Sequence, residues 1–283
     1  VHEERCLQIE PAGVVQKTGR QPLAVEAVDP GLSGAPEEVS LYSRTLALLR
    51  WEQGRLYDAA ALLRHGAQAY GEMKRRRDQG VCLALVGLVY VEAGEMKRAP
   101  APLLRGLMSQ ADRPISRLSA CGWLSLALAL ALLGWEDEAK EAREQAWLYH
   151  VGPAEVGLAE VAWLDGRVAA ALGLTKDAGH LLDRARVQLL ARRRISDASL
   201  VSLDLAAHYA ETGRGKEISR LVAELEEMGG ERREARLGAD ALRCYLEAKP
   251  SHGNAREKAE VLSASLRRSL RWSHPGLQTL PWT

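Results

Sequence analysis

Between residues 38 and 228 the apolar positions recur at helical spacing in stretches of helix length, and every second stretch ends at a glycine. The most apolar stretch, WLSLALALALLGW from Trp123 to Trp135, has almost no polar side and predicts a buried helix. It falls well short of the roughly 20 residues that a bilayer crossing needs. The closing glycines are Gly54, Gly94, Gly134, Gly173 and Gly213, separated by 40, 40, 39 and 40 residues. Glycine accepts the left-handed conformation of a helix C-terminal cap without a Cβ penalty, so each is expected to stop a helix and reverse the chain. Small residues stand seven before them (Ala47, Gly87, Ala127, Gly166, Ala206) and, except for Ile218, five after them (Ala59, Ala99, Ala139, Ala178). That spacing lets two antiparallel helices approach closely, and repetition at about 40 residues marks a stack of hairpins, each burying its apolar face against its neighbours.

The second unit reads Leu83-x-x-Val86-Gly87-x-x-Tyr90, then Gly94, Ala99-x-x-x-Leu103 and Gly106. The third repeats it as Trp123-x-x-Leu126-Ala127-x-x-Leu130, Gly134, Ala139 and Ala146. This skeleton resembles the tetratricopeptide repeat (TPR) family, whose pattern is W-x-x-L-G-x-x-Y followed by A-x-x-x-F. The resemblance implies an all-α, right-handed α-solenoid of about five TPR-like hairpins over 38–228, with C-terminal capping helices. The fourth unit departs from the pattern, with Asp165 where the family prefers leucine. The period exceeds the usual unit by about six residues, so a HEAT-like or other helical repeat is the alternative. Pro100 and Pro102 predict a late or irregular start for the second helix of their unit, around Ala99. The stretch Asp197 to Arg214 is similar to uncharacterised bacterial TPR proteins and suggests a bacterial relative.

Residues 1–37, with Pro11, Pro22, Pro30 and Pro36, show no sustained helical period and are expected to form an extended or loosely packed arm. Within 229–272, residues 231–248 and 255–270 read as two amphipathic helices that would cover the open end of the stack, followed by a tail over 273–283.

Charge narrows the partners. Lys+Arg at 38 against Asp+Glu at 37 leaves a net +1, which disfavours a general nucleic-acid binder. The opening VHEERCLQIE lacks the basic start and apolar run of a secretory signal, and Cys6, Cys82, Cys121 and Cys244 form no C-x-x-C pair. The expectation is a cytoplasmic protein, not a membrane one.

Chemistry is sparse. The chain has no H-E-x-x-H, G-x-S-x-G, G-x-G-x-x-G or G-x-x-x-x-G-K-[ST]. Thr212 to Glu217, TGRGKE, is the turn of the fifth hairpin, without the glycine and hydroxyl of a phosphate loop. Asp204 and His208, four apart, could share one helix face, but no nucleophile or third ligand stands near them. His65, His150 and His180 have no metal-ligand spacing. No enzyme activity, cofactor or metal is expected.

In the TPR family the first helix of each unit lines the concave face. Carried over, that resemblance points to a peptide-binding groove of Arg44, Leu48, Trp51, Leu88, Leu128, Trp163, Arg167 and Leu203, with Glu160 beside Trp163. Tryptophan and arginine concentrate binding energy, so the implied partner is another protein or peptide, with Arg44 and Arg167 holding an acidic group. The alternative is that a tightly wound stack buries the same leucines as ordinary core. Two basic clusters, Lys74 with Arg75, Arg76 and Arg77, and Arg192, Arg193 and Arg194, form a second candidate surface. Cations near a helix C-terminus are explained by the helix dipole, and an acidic partner or nucleic-acid backbone is the other reading. A sensor or oligomerisation module of a bacterial regulator is the remaining function class.

Overall fold

The computed structural model of the protein describes residues 36–112, 116–149, 158–228, 239 and 242–243. They hold ten α-helices and no strand. The order is α1 (Pro36–Glu52), α2 (Leu56–Glu72), α3 (Arg76–Glu92), α4 (Pro100–Met108), α5 (Ser116–Leu132), α6 (Glu136–Leu148), α7 (Leu158–Ala171), α8 (Thr175–Ala191), α9 (Ile195–Glu211) and α10 (Gly215–Met228). No described helix is long and apolar enough to cross a membrane. The expected arm over 1–37 lies outside the described residues except Pro36 and Glu37, which open α1.

All five closing glycines have positive φ, from 71° at Gly173 to 84° at Gly134. Each turn carries the paired bonds of a Schellman cap. At the first, Gly54 N–H donates to Trp51 C=O at 2.8 Å and Arg55 N–H to Arg50 C=O at 2.8 Å. The α2–α3 and α8–α9 turns repeat this geometry with Lys74 (φ 57°) and Arg193 (φ 58°) in the glycine position. The residue before the next helix is often arginine, and its guanidinium reaches an acid three residues on: Arg55 to Asp58, Arg75 to Asp78, Arg194 to Asp197 and Arg214 to Glu217. Turn and helix start are thereby fixed together, and at α2, α3 and α9 no side chain caps the helix.

Successive helices pack against each other except at the α6–α7 junction, and α3, α5, α7 and α9 also touch in sequence. Helices α3, α5, α7 and α9 therefore share one layer, and their hairpin partners flank it. The spaced alanines sit where hairpins close: Ala47, Ala59, Ala99, Ala127, Ala139, Ala178 and Ala206 are all 0% exposed. The approach is tightest between α3 and α4, where a Cβ on Gly106 would lie 2.4 Å from the backbone nitrogen of Ala84. The prolines act as expected. Pro100 begins α4 after a single 3-10 turn at Met96–Arg98, and Pro102 still falls in the first helical turn, where amide hydrogens have no partner inside the helix.

Polar bonds join one hairpin to the next at sequence separations near the repeat length. Arg75 pairs with Glu37, Tyr57 with Glu95 at 2.8 Å, and Arg186 with Glu224 at 2.5 Å. Asp165, the departure from the family pattern, is 1% exposed, and Arg143 of α6 donates to it at 2.5 Å. An ion pair there replaces an apolar contact between two hairpins. Of the expected capping segments only residues 239, 242 and 243 are described. They are helical, and Ala239 and Leu242 are buried with Leu221 and Leu225 of α10 in one core.

Candidate functional site

Several residues expected to line an open groove are core. Trp51 is 1% exposed, Leu88 4%, Leu128 3% and Leu203 4%; the three leucines lie on α3, α5 and α9, which with α7 touch in sequence. Leu48 keeps partial exposure, as do Arg44, Trp163 and Arg167. Arg44 lies 3.9 Å from Asp78 in α3, at some remove in the chain from the other arginine.

Around Arg167 the odd-numbered layer gathers a set of polar groups that the groove pattern only half anticipates. The Trp163 indole N–H donates to Asp204 Oδ2 of α9 at 2.5 Å, and Arg167 Nε lies 3.6 Å from the same oxygen. On α3, Glu92 accepts the indole N–H of Trp51. Burial pushes the Glu92 carboxyl up to about 8, against the opposing effects of the Trp51 hydrogen bond and the Arg167 charge. Helix α5 packs against both α3 and α7. Leu132, the last residue of that intervening helix, is 54% exposed. The terminal nitrogens of Arg167 donate no hydrogen bond to described residues, and the Arg167 and Asp204 side chains are each 36% exposed.

Glu92 escaped the sequence reading because it sits one position beyond the face positions carried from the family. A signal existed. Two tryptophans each stand 41 residues before a carboxylate, Trp51 before Glu92 and Trp163 before Asp204.

Glu160, expected beside Trp163 in the groove, is 3% exposed and held between hairpins by Arg194 and by Arg117 at 3.5 Å. Burial pushes its carboxyl up, yet its backbone N–H, Arg194 and Arg117 together bring it below the ordinary value. Asp204 and His208 do not form a dyad. His208 is 4% exposed, and its ring bonds to the Thr175 backbone at the start of α8. Burial lowers its pKa, and the Arg214 charge adds to the effect while the Thr175 bond opposes it.

The basic clusters do not act as uniform cationic patches. Arg75 and Arg194 are tied to Glu37 with Asp78 and to Glu160 with Asp197. Arg76, Arg77, Arg192 and Arg193 are exposed. No three His, Cys, Asp or Glu residues among the described ones group as a metal site. Burial pushes the Cys82 thiol up to about 11 and Cys121 to about 12, so both are poor nucleophiles.

The chain matches no family model and no curated protein.

Proposed function

We propose that this protein is a non-catalytic binding scaffold, a right-handed α-solenoid of about five TPR-like hairpins that takes a protein or peptide on the face of its odd-numbered helices. The alternating packing, the five glycine caps at a constant period and the contacts among α3, α5, α7 and α9 support the architecture. One observation carries the binding reading. Arg167 stands part-exposed beside Trp163 with its terminal N–H groups unengaged by described residues, whereas most other expected anchors are core. An acidic side chain or terminal carboxylate of the partner would meet that guanidinium.

A displayed peptide library tests this. The expected outcome is a family of peptides that binds the parent chain and is lost with Trp163→Ala/Arg167→Glu. Peptides retained equally by the double variant, or no enrichment at all, would overturn it.

The burial of Leu88, Leu128 and Leu203 favours a second reading, because it leaves a compact polar patch in place of a long apolar groove. A sensor module of a bacterial regulator, binding a small ligand, fits that patch. It predicts a ligand-dependent change in the small-angle scattering profile, and an unchanged profile at saturation counts against it.

A further inference from the structure

Helix α1 opens the stack, and its bonds to the next helices leave from one side. Ser43 turns toward His65 of α2, and Arg44 and Trp51 toward Asp78 and Glu92 of α3. At about 100° per residue, the opposite side carries Glu38, Tyr42, Thr45 and Leu49, with Leu41 at its edge. Leu41, Tyr42 and Leu49 are 49%, 48% and 48% exposed, and no other described helix bears as many exposed large apolar side chains. The Thr45 hydroxyl donates to Leu41 C=O at 2.9 Å and so is satisfied within the helix. The terminal unit of a helical stack ordinarily turns a polar outer face to solvent. This face is apolar instead.

We propose that the outer face of α1 pairs with the same face of a second copy of the chain, the two helices running antiparallel about a two-fold axis near Thr45. Leu41 and Tyr42 of each copy lie against Leu49 of the other. Charge selects both the occupant and its direction. The first turn of α1 carries Glu37 and Glu38 and its last turn Arg50, so the reversed helix is its own electrostatic complement. With Thr45 at the centre, Glu38 of each copy comes level with Arg50 of the other to within about 3 Å, at about 1.5 Å per residue. A parallel pair would set acid against acid and base against base. Glu37 is already held by Arg75 of its own chain, whereas Glu38 is exposed and pairs with no described residue. Arg50 donates Nη1 to Gln53 at 3.0 Å, which leaves Nη2 for the second copy. The pairing covers the side that a preceding hairpin would cover in a longer stack. It uses no residue of the Arg167 patch and is independent of what that patch binds.

Sedimentation equilibrium of the full chain, loaded at about 1 to 100 µM, is expected to show a monomer–dimer equilibrium. Tyr42→Glu and Leu49→Glu are expected to be monomeric, with helicity and thermal midpoint unchanged in circular dichroism because both sites are exposed. Glu38→Arg and Arg50→Glu each set like charges together twice in a two-fold pair, and each is expected to weaken association about tenfold or more. Mixed in equal amounts, these two variants should associate again, since every altered charge then faces its opposite. A mixture as weak as its components overturns the antiparallel pairing. A parent chain that is monomeric throughout overturns the proposal, whether another protein or another part of the chain then covers the face. So does a dimer that Tyr42→Glu and Leu49→Glu leave untouched, because its contact lies elsewhere.

Discussion

Glu92→Gln isolates the one carboxyl among the described residues whose pKa is pushed into the neutral range. Glutamine keeps the size of the side chain and an oxygen for the Trp51 indole, and removes only the ability to ionise. In the parent the folded chain holds the proton up to about 8, whereas the unfolded chain releases it near the ordinary 4.5. Between those values the folded state binds more protons than the unfolded one, so stability falls as pH rises. Below 4.5 the carboxyl is neutral in both states and the effect vanishes. At about 1.4 kcal/mol per pH unit the full range bounds the loss near 5 kcal/mol. Glu92 retains partial exposure, and solvent screening brings the expectation down to about 2 kcal/mol. Urea unfolding followed by circular dichroism at pH 4.5, 7 and 9 measures it. The variant should match the parent at the lowest pH and exceed it increasingly toward the highest. A difference independent of pH would refute the burial argument, because titrations elsewhere in the chain cancel between the two proteins.

Lys74→Gly and Arg193→Gly should each stabilise by about 1 kcal/mol in the same assay, because they relieve a left-handed backbone at a side-chain-bearing residue, and unchanged midpoints would count against strain there. Gly106→Ala should destabilise by about 3 kcal/mol or more, since its Cβ meets the backbone of Ala84 and Gly80, whereas Gly134→Ala has open space and should lose about 1 kcal/mol from φ strain alone. Asp165→Ala should cost about 3 kcal/mol by leaving Arg143 only the exposed Asp177 at 3.9 Å, while Asp165→Leu with Arg143→Met should equal or exceed the parent. A double variant as unstable as the single one would show that the ion pair is not interchangeable with an apolar contact. In a Cys6→Ser/Cys244→Ser background, Cys82 and Cys121 should react with a thiol reagent only after denaturation, and rapid native reaction would contradict their burial.

The hairpins were legible in the sequence because their determinants are local. A glycine cap depends on its own φ, and a small residue seven before or five after it acts through one helix crossing, so Gly54, Gly94, Gly134, Gly173 and Gly213 mark turns without knowledge of any other unit. The late start of α4 followed from Pro100 in the same way. The turns at Lys74 and Arg193 are less legible, since the residues there do not advertise a left-handed backbone, and the pairing of Arg75 and Arg194 across hairpins depends on acids distant in the chain.

Exposure was decided by tertiary structure alone. The face carried over from the family treats Leu88, Leu128 and Leu203 as lining, but how closely neighbouring odd-numbered helices approach is set by packing between units, and here it buries them. Asp165 read as a flaw in the fourth unit until Arg143 from the preceding hairpin stood beside it. Arg167 and Asp204 are far apart in the chain, and their pairing requires α7 and α9 to meet. A periodic sequence determines the repeating unit because each unit folds by short-range rules. Which side chains remain free at the junctions depends on the contacts between units, and those exist only once the stack has formed.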